Sequence, residues 1–197
     1  MRKGGLETTM EEKTTVFQRI RGAHCVILGY GVSGRPLLPY LLSHGAGRIT
    51  VRDKRTLDNM QASGEAQAIL SAGASLICGE DYLEDLTGDV IFRSPGFRPD
   101  LPEIKAAVEK GAILSSEMEL FLSVTPATVV GITGSDGKTT TTTLISRFLE
   151  AEAEITGRGK VYLGGNIGTP LLPMVDGMTE DDFAVVELSS FQLMTAS

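Results

Sequence analysis

Short apolar runs alternate with longer amphipathic stretches along most of the chain after residue 21. Runs rich in valine, isoleucine and leucine predict strands at 25–28, 48–53, 75–78, 89–92, 112–114, 128–132, 161–163 and 183–188. Apolar residues at helical spacing predict helices at 11–20, 36–43, 61–72, 100–110, 138–150 and 169–175, with Ser33 and Asp100 placed as caps. Strands that alternate with helices are typical of a parallel sheet with helices on both faces. The predicted fold class is therefore α/β.

The alternation pauses around residues 123–126, and a new apolar strand then opens a second α/β unit. This pause predicts a domain boundary, with one domain at 1–125 and a second at 126–197. The second domain would have three strands and two helices, and a sheet of that size leaves at least one face poorly covered. We therefore expect an incomplete second domain and a truncated chain.

Composition narrows the class of protein without changing the predicted fold. Hydrophobic residues make up 42% and charged residues 22% of the chain, values that are ordinary for a folded globular protein. The formal net charge of -7 argues against a general nucleic-acid binder, which presents a basic face. No apolar run approaches the ~18 residues that cross a bilayer, and the first residues lack a signal-peptide pattern. We therefore expect a cytoplasmic protein without membrane insertion.

The first candidate site is a complete GxGxxG motif, formed by Gly29, Gly31 and Gly34 between a predicted strand and a predicted helix. Glycines at this spacing permit a tight turn and a close approach of the backbone to a phosphate. Asp53 ends the next predicted strand, where a carboxylate can bind a ribose hydroxyl. Taken alone, the motif and Asp53 favour an NAD-binding domain, and a tight turn without a ligand is the alternative.

The second candidate site is the segment Gly134-Ser135-Asp136-Gly137-Lys138-Thr139, between a predicted strand and a predicted helix. In such a segment backbone N–H groups cradle phosphates, the lysine reaches the β- and γ-phosphates, and Thr139 can bind Mg²⁺. Ile132 stands where a strict P-loop has its first glycine, and Asp136 places a negative charge beside the expected triphosphate. The segment predicts an ATP site, and a glycine-rich turn with an exposed lysine is the alternative.

The third candidate is Glu187, at the end of the apolar run 183–188. In an α/β sheet, the carboxyl end of a strand next to the P-loop strand is the expected place for a metal-binding carboxylate. Glu187 is therefore a candidate ligand of Mg²⁺, and a solvated glutamate at a strand end is the alternative.

Together these motifs resemble those of the Mur ligase family. The resemblance covers nearly the whole chain from Gly29 onward. It is carried by Gly-Ser-Asp-Gly-Lys-Thr-Thr at 134–140, Gly-Gly-Asn-Ile-Gly at 164–168 and Glu-Leu-Ser-Ser-Phe-Gln-Leu at 187–193, supported by Ser-Pro-Gly at 94–96 and Glu-Met-Glu-Leu-Phe at 117–121. It implies a Rossmann-like first domain that binds the UDP part of a substrate rather than NAD, followed by an incomplete P-loop α/β ATPase domain that binds ATP and Mg²⁺.

The same resemblance implies roles for individual residues. UDP-binding roles fall on Gly31, Val32, Ser33, Asp53, Lys54, Arg55, Ser94, Pro95 and Gly96. ATP-binding roles fall on Gly134, Ser135, Asp136, Gly137, Lys138, Thr139 and Thr140. Lys138 and Glu187 are implied as catalytic residues, and Thr139 and Glu187 as Mg²⁺ ligands. Asn166, Ser189 and Gln192 are implied to lie near the carboxylate that the reaction activates. The family often has threonine where Lys54 stands and asparagine where Asp136 stands.

The implied activity is that of a ligase that joins D-glutamate to UDP-N-acetylmuramoyl-L-alanine in peptidoglycan synthesis. In that reaction ATP phosphorylates the substrate carboxylate, and the amine of D-glutamate attacks the acyl phosphate. A monomer is expected, and the 197-residue portion is expected to be inactive because the domain that binds D-glutamate lies beyond it. The alternatives are a related ligase for another amino acid or for folate, an NAD-dependent oxidoreductase, and a non-catalytic nucleotide-binding fragment.

Overall fold

The structure, a computed structural model, describes residues 16–167, 169–189 and 192. The chain divides into two compact units, Met1–Glu117 and Met118–Ser197. The predicted domain boundary lies a few residues further on, after residue 125. The assignment of residues 118–125 to the first domain therefore stays a prediction. The helix predicted at 11–20 lies partly outside the described residues, and residues 16–20 are helical.

The first unit is built on a five-stranded parallel sheet. Its strands are β1 (His24–Leu28), β2 (Arg48–Asp53), β3 (Ser75–Cys78), β4 (Val90–Arg93) and β5 (Ile113–Ser115). The helices after β1 are α1 (Leu37–Ser43), α2 (Leu57–Ala62), α3 (Glu65–Ser71) and α4 (Pro102–Glu109). The strand order is β3-β2-β1-β4-β5, and every neighbouring pair is parallel. The predicted parallel α/β arrangement is therefore confirmed.

The strand order of this sheet reverses at β1, because β2 and β3 lie on one side of it and β4 and β5 on the other. Val26 of β1 pairs with Thr50 of β2 and with Ile91 of β4. In open parallel sheets, ligands bind beyond the carboxyl ends of the strands at such a reversal. The turns that follow β1 and β4 both lie at this edge.

Strand β1 is buried on both faces. Val26 and Leu28 belong to an apolar cluster that also contains Ile104 of α4. Cys25 and Ile27 alternate with them along the strand and are likewise 0% exposed. Apolar residues on both sides of a strand are typical of the centre of a parallel sheet. This strand therefore gives a rigid base to the glycine turn that follows it.

The second unit is built on a three-stranded parallel sheet. It contains β6 (Thr128–Ile132), the long helix α6 (Lys138–Thr156), β7 (Val161–Gly165) and β8 (Phe183–Glu187). A helix α5 (Glu117–Val124) precedes β6, and a 3₁₀ helix (Leu172–Gly177) lies between β7 and β8. The strand order is β6-β8-β7. Strand β8 therefore lies directly beside the strand that leads to Lys138, as predicted.

Several apolar side chains of the second unit are exposed. On α6, Leu144, Phe148 and Ile155 are 50%, 72% and 86% exposed. Val129 of the edge strand β6 is 36% exposed, whereas Val185 of the central strand β8 is fully buried. Apolar side chains are therefore exposed on α6 and on β6, and the incompleteness of the second domain stays a prediction.

Two predicted helix caps are wrong. Ser33 does not cap α1, because Pro36 is the N-cap residue and no side chain caps the helix. Helix α4 begins at Pro102, and Asp100 forms an ion pair with Arg98 at 2.6 Å instead of capping it. The N-cap residue is Leu101, whose side chain cannot accept a hydrogen bond, and the proline that follows presets the helical φ and has no N–H to leave unpaired.

The helix predicted at 61–72 is broken in two. Gly64, with a φ of 75°, separates α2 from α3. A left-handed residue cannot continue a right-handed helix, and glycine adopts this conformation without a steric penalty. Helix α2 also begins earlier than predicted, because the Thr56 side chain accepts a hydrogen bond from the Asn59 N–H at 3.4 Å. The break makes Glu65 the first residue of a helix.

The other differences concern helix length and type. Helix α6 runs past its predicted end at residue 150 and stops at Gly157, which is left-handed with a φ of 67°. The segment predicted as a helix at 169–175 forms the 3₁₀ helix instead, and α5 was not predicted. Neither α6 nor any other helix in the described part of the chain is long and apolar enough to cross a membrane.

Gly31 and Gly34 of the glycine turn after β1 differ in the space available for a side chain. A Cβ at Gly34 would clash with the carbonyl oxygen of Gly29, whereas a Cβ at Gly31 would meet nothing within 4 Å. We expect Gly34→Ala to lower the free energy of unfolding of the first unit by more than about 2 kcal/mol. We expect Gly31→Ala to change it by less than about 0.5 kcal/mol. Urea denaturation followed by circular dichroism measures both, and equal midpoints for the two variants would contradict the tight turn.

Candidate functional site

The glycine turn after β1 packs against the turn after β4. Gly29 is left-handed, with a φ of 86°. A Cβ there would lie 2.8 Å from the Phe97 ring and 2.9 Å from the Ser94 hydroxyl, so only glycine fits. The Ser94 hydroxyl donates a hydrogen bond to the Gly29 carbonyl at 2.9 Å. The structure thus brings together two segments that the sequence predicts to bind the same ligand.

The Asp53 carboxylate joins the glycine turn to the end of β2. One of its oxygens accepts a hydrogen bond from the Tyr30 N–H at 2.7 Å. The other accepts from the Arg55 backbone N–H and from the Arg55 Nε, each at 2.9 Å. Arg55 Nη2 in turn donates to the Tyr30 carbonyl at 3.0 Å. Asp53 and Arg55 therefore hold the first part of the turn in place.

Burial alone would raise the pKa of Asp53, but the hydrogen bonds from Arg55 and from the Tyr30 N–H hold that pKa below its usual value. Asp53 is 5% exposed, and both of its oxygens are occupied. Its observed contacts are therefore those of a group that shapes the turn. They leave little room for the ribose contact that an NAD-binding domain requires.

The remaining predicted residues of the first unit form the surface of the same edge. Val32 is 64% exposed, and Gly31, Lys54, Pro95 and Gly96 are exposed as well. Ser33 is half-buried. Exposed backbone and small side chains above an anchored turn leave space for a ligand to approach the chain closely.

Two charged residues of this edge were missed by the sequence analysis. Glu65 accepts hydrogen bonds from Arg55 Nη1 at 2.6 Å and from Arg35 Nε at 2.7 Å. Arg35 directly follows the last glycine of the GxGxxG motif. This position beside a predicted phosphate-binding turn could have marked it as a site residue. Glu65 lies inside what the apolar pattern predicts to be a continuous helix, and no motif in the sequence marks it as a site residue.

In the second unit, the loop between β6 and α6 carries the predicted phosphate-binding segment. Gly134 and Gly137 have φ values of 154° and 72°, and Gly137 is the N-cap residue of α6. The Lys138 ammonium group folds back over the loop, donating to the carbonyls of Gly134 at 2.8 Å and Ser135 at 3.2 Å. The backbone around Gly134 is exposed. The start of α6 therefore presents its unpaired N–H groups to solvent beside a cation.

Glu187 lies at the centre of the second site. It ends β8, and in register it pairs with Ile132 of β6 on one side and with Gly165 of β7 on the other. Its carboxylate accepts hydrogen bonds from the Thr139 hydroxyl at 2.8 Å and from the Asn166 amide at 3.3 Å. The structure therefore brings the two predicted Mg²⁺ ligands, Thr139 and Glu187, into direct contact.

Neutral groups donate hydrogen bonds to the Glu187 carboxylate but do not balance its charge. The side chain groups that the described residues offer to it are a hydroxyl and an amide, and the residue is only 3% exposed. A buried carboxylate without a cation is costly, so this position is chemically suited to a metal ion. Within the described residues, no group of three or more His, Cys, Asp or Glu could hold a metal. Mg²⁺ commonly binds one carboxylate together with substrate phosphates, which fits this donor set.

Ser189 and Gln192 are hydrogen-bonded to each other after β8. The Gln192 side chain oxygen accepts from the Ser189 N–H at 2.8 Å, and the Ser189 hydroxyl accepts from the Gln192 N–H at 3.3 Å. Asp136 and Thr140, also predicted to bind ATP, are exposed at the loop and the first turn of α6. The structure thus places these residues without showing what they bind.

Comparisons with known proteins bear on both units. Residues 132–197 match the family model described as the Mur ligase middle domain. The chain is 48% identical, over 94% of its length, to a UDP-N-acetylmuramoylalanine–D-glutamate ligase of Ruminiclostridium cellulolyticum, of which it covers 39%. It is also 48% identical, over 86% of its length, to the ligase of that name from Clostridium botulinum strain Okra, of which it covers 35%.

Among solved structures, a murein peptide ligase from Psychrobacter arcticus is 19% identical, with a TM-score of 0.40, and the match covers 86% of this chain and 39% of that chain. At that score the likeness contributes nothing to the assignment. The sequence matches relate the chain to the Mur ligase family: residues 132–197 match its middle domain, and the similarity to the relatives extends over up to 94% of the chain. The two relatives named above are both UDP-N-acetylmuramoylalanine–D-glutamate ligases by name. The chain spans 39% and 35% of their lengths.

Because the folded-state pKa of Asp53 is depressed, the carboxylate stabilises the first unit above its unfolded-state pKa of 3.8, and this stabilisation is lost as the pH falls through the lower folded-state value. We expect Asp53→Asn to lower the free energy of unfolding at pH 7 by about 1–3 kcal/mol. The difference from the wild type should narrow below about pH 4. Urea midpoints between pH 7 and about pH 2.5 test this, and a difference that stays constant over that range would refute it.

Proposed function

We propose that the chain carries the two nucleotide-binding parts of a ligase that joins D-glutamate to UDP-N-acetylmuramoyl-L-alanine with the use of ATP. The observation that carries the proposal is the contact between Thr139 and Glu187 beside the Lys138 loop, in a segment that matches the Mur ligase middle domain. The relatives that share this segment are named for that reaction.

In the second unit, the loop from Gly134 to Thr140 would bind the phosphates of ATP. Its backbone N–H groups and the start of α6 provide neutral donors, and Lys138 provides a positive charge. The Lys138 ammonium group now donates to two loop carbonyls. On binding it would exchange these contacts for phosphate oxygens, where its charge favours transfer of the terminal phosphoryl group.

Thr139 and Glu187 would hold Mg²⁺ in this proposal. A bound Mg²⁺ ion neutralises charge on the phosphates as the phosphoryl group is transferred. The chain's own contribution is positional, because Glu187 is buried at a strand end and is already oriented by Thr139 and Asn166. A carboxylate held in this way needs little rearrangement to bind a cation.

Asn166, Ser189 and Gln192 would lie near the carboxylate of the substrate that is to be activated. The Asn166 backbone N–H donates to the Glu187 carbonyl at 2.8 Å, which ties the loop after β7 to the end of β8. Ser189 follows Glu187 by two residues. The substrate carboxylate would therefore meet the terminal phosphate of ATP at the carboxyl ends of β7 and β8, where its oxygen attacks the γ-phosphorus. The bond from that phosphorus to the bridging oxygen breaks, and ADP leaves as the acyl phosphate forms.

In the first unit, the surface formed by residues 31–33, 53–55 and 94–96 would bind the UDP part of the substrate. The glycine turn brings an exposed backbone to this surface, and Gly31 leaves open space above it. The burial of Asp53 and its bonds to Arg55 and Tyr30 favour this ligand over NAD, for which the carboxylate would have to face a ribose.

The proposal also covers the setting of the reaction. ATP and a UDP-linked precursor are cytoplasmic substrates, so we place the protein in the cytoplasm, acting as a monomer without nucleic acid or membrane insertion. D-glutamate would enter after the acyl phosphate has formed, because its amine attacks the activated carbonyl and displaces phosphate.

Lys138→Ala tests the ATP site. We expect the affinity for ATP and Mg²⁺ to fall at least about tenfold, since hydrogen bonds to charged groups contribute about 1.5–3 kcal/mol. The free energy of unfolding should change by less than about 0.5 kcal/mol because the side chain is not buried. Calorimetric titration and urea denaturation measure the two effects.

Lys160→Ala is the matched control, since it removes the same charge from the exposed residue just before β7, at the opposite end of the sheet. Its ATP affinity should equal that of the wild type. If Lys138→Ala also binds ATP as the wild type does, the loop is not the phosphate site.

A second titration tests the first unit. We expect UDP-N-acetylmuramoyl-L-alanine to bind and NADH not to bind. Gly31→Ala should weaken the UDP-linked ligand several-fold without unfolding the unit, because the added methyl group meets only the space reserved for the ligand. Binding of NADH in place of the UDP-linked compound would overturn the assignment of this unit.

A further inference from the structure

Arg35 is anchored in the glycine turn, but its side chain reaches solvent. Its backbone N–H donates to the Gly31 carbonyl at 3.0 Å, so its Cα is fixed relative to the turn. Its side chain is 58% exposed and donates through Nε to one oxygen of Glu65 at 2.7 Å. A guanidinium group is thus held at the edge of the proposed UDP surface.

Glu65 does not depend on Arg35 for compensation of its charge. Its other oxygen accepts from Arg55 Nη1 at 2.6 Å and from the Ser63 hydroxyl at 3.0 Å. The Glu65 side chain is only 10% exposed, and Arg55 is itself tied to Asp53 and the turn. If Arg35 left Glu65, the carboxylate would still be paired and hydrogen-bonded.

The Arg35–Glu65 ion pair is therefore easy to open. An ion pair with one well-exposed partner contributes little to stability. Arg35 and Arg55 both donate to the Glu65 carboxylate, and Arg55 also donates to the Tyr30 carbonyl. The Arg35 guanidinium therefore lies within one side-chain length of the turn backbone. Guanidinium groups bind phosphate in a two-pronged geometry, with strong charge-assisted hydrogen bonds.

We propose that Arg35 is a phosphate-binding residue of the first unit. Until a nucleoside diphosphate arrives, Glu65 holds the Arg35 side chain beside the glycine turn. The proposal rests on the proposed function of this unit and adds to it a residue that determines affinity for the charged part of the ligand. Arg55 stays bound to the Asp53 and Glu65 carboxylates and forms the rigid part of the site, while the Arg35 side chain moves to the ligand.

The test compares UDP with uridine, which shares the base and the ribose but has no phosphate. Calorimetry on the whole chain should show that Arg35→Gln binds UDP about tenfold more weakly than the wild type, as expected for loss of a charge-assisted contact. Uridine affinity should change by less than about twofold. The wild-type UDP affinity should also fall with salt more steeply than that of the variant.

Arg48→Gln is the matched control, because it makes the same change in charge at the first residue of β2, at the opposite end of the strand from Asp53. It should bind UDP as the wild type does. If Arg35→Gln also binds UDP like the wild type, or loses uridine affinity equally, Arg35 is a structural tether and the inference is wrong. A wild-type chain that binds neither compound would instead overturn the proposed function of the unit, and the inference with it.

Discussion

A buried carboxylate at the carboxyl end of a parallel strand organises the candidate site in each unit. Asp53 ends β2 and binds the Tyr30 N–H of the neighbouring glycine turn. Glu187 ends β8 and binds Thr139 at the start of α6 and Asn166 after β7. Because the strands are parallel, the loops that follow them lie at one edge, and a single acceptor can tie neighbouring loops together. These contacts act together with the Ser94 bond to Gly29 and the Lys138 bonds to its loop, which also hold the glycine-rich segments.

The two carboxylates differ in what compensates their charge, and this difference separates their proposed chemistry. Asp53 is paired with Arg55, so it can shape a site but has little capacity left for a ligand. Glu187 receives a hydroxyl and an amide from the described residues, so its negative charge is available to a cation. A buried carboxylate needs a cation or a proton to be compensated, and in the proposed ATP site a divalent cation would supply that compensation. A buried carboxylate at a strand end thus anchors a turn in the first unit and forms the proposed metal position in the second.

Much of the fold could be predicted from sequence, because it follows from local patterns. Apolar runs located the strands, and the alternation of strands with helices predicted parallel pairing. The prediction that Glu187 lies beside the P-loop strand was confirmed by the order β6-β8-β7. The roles of the individual site residues stay predictions, because the structure shows their positions and contacts but no ligand.

The features that could not be predicted depend on single conformations or on distant partners. The helix at 61–72 has an uninterrupted apolar pattern, and only the left-handed Gly64 breaks it. Arg35 and Glu65 are 30 residues apart in the chain, and no local pattern links them. The contact appears only when the break in the helix places Glu65 opposite the glycine turn. Ser33 looked like a cap from its position, but the helix begins after Pro36 and leaves Ser33 in the turn.

The central claim is that the chain has two separate nucleotide sites, one in each unit. Backbone amide NMR shifts test it most directly when UDP and then ATP with Mg²⁺ are added to the same sample. The account predicts that UDP shifts amides in 29–35, 53–55 and 94–96, and that ATP with Mg²⁺ shifts those in 134–140 and near Glu187. Each ligand should leave the other set unchanged. If both ligands shift the same set of amides, the claim of two sites is contradicted.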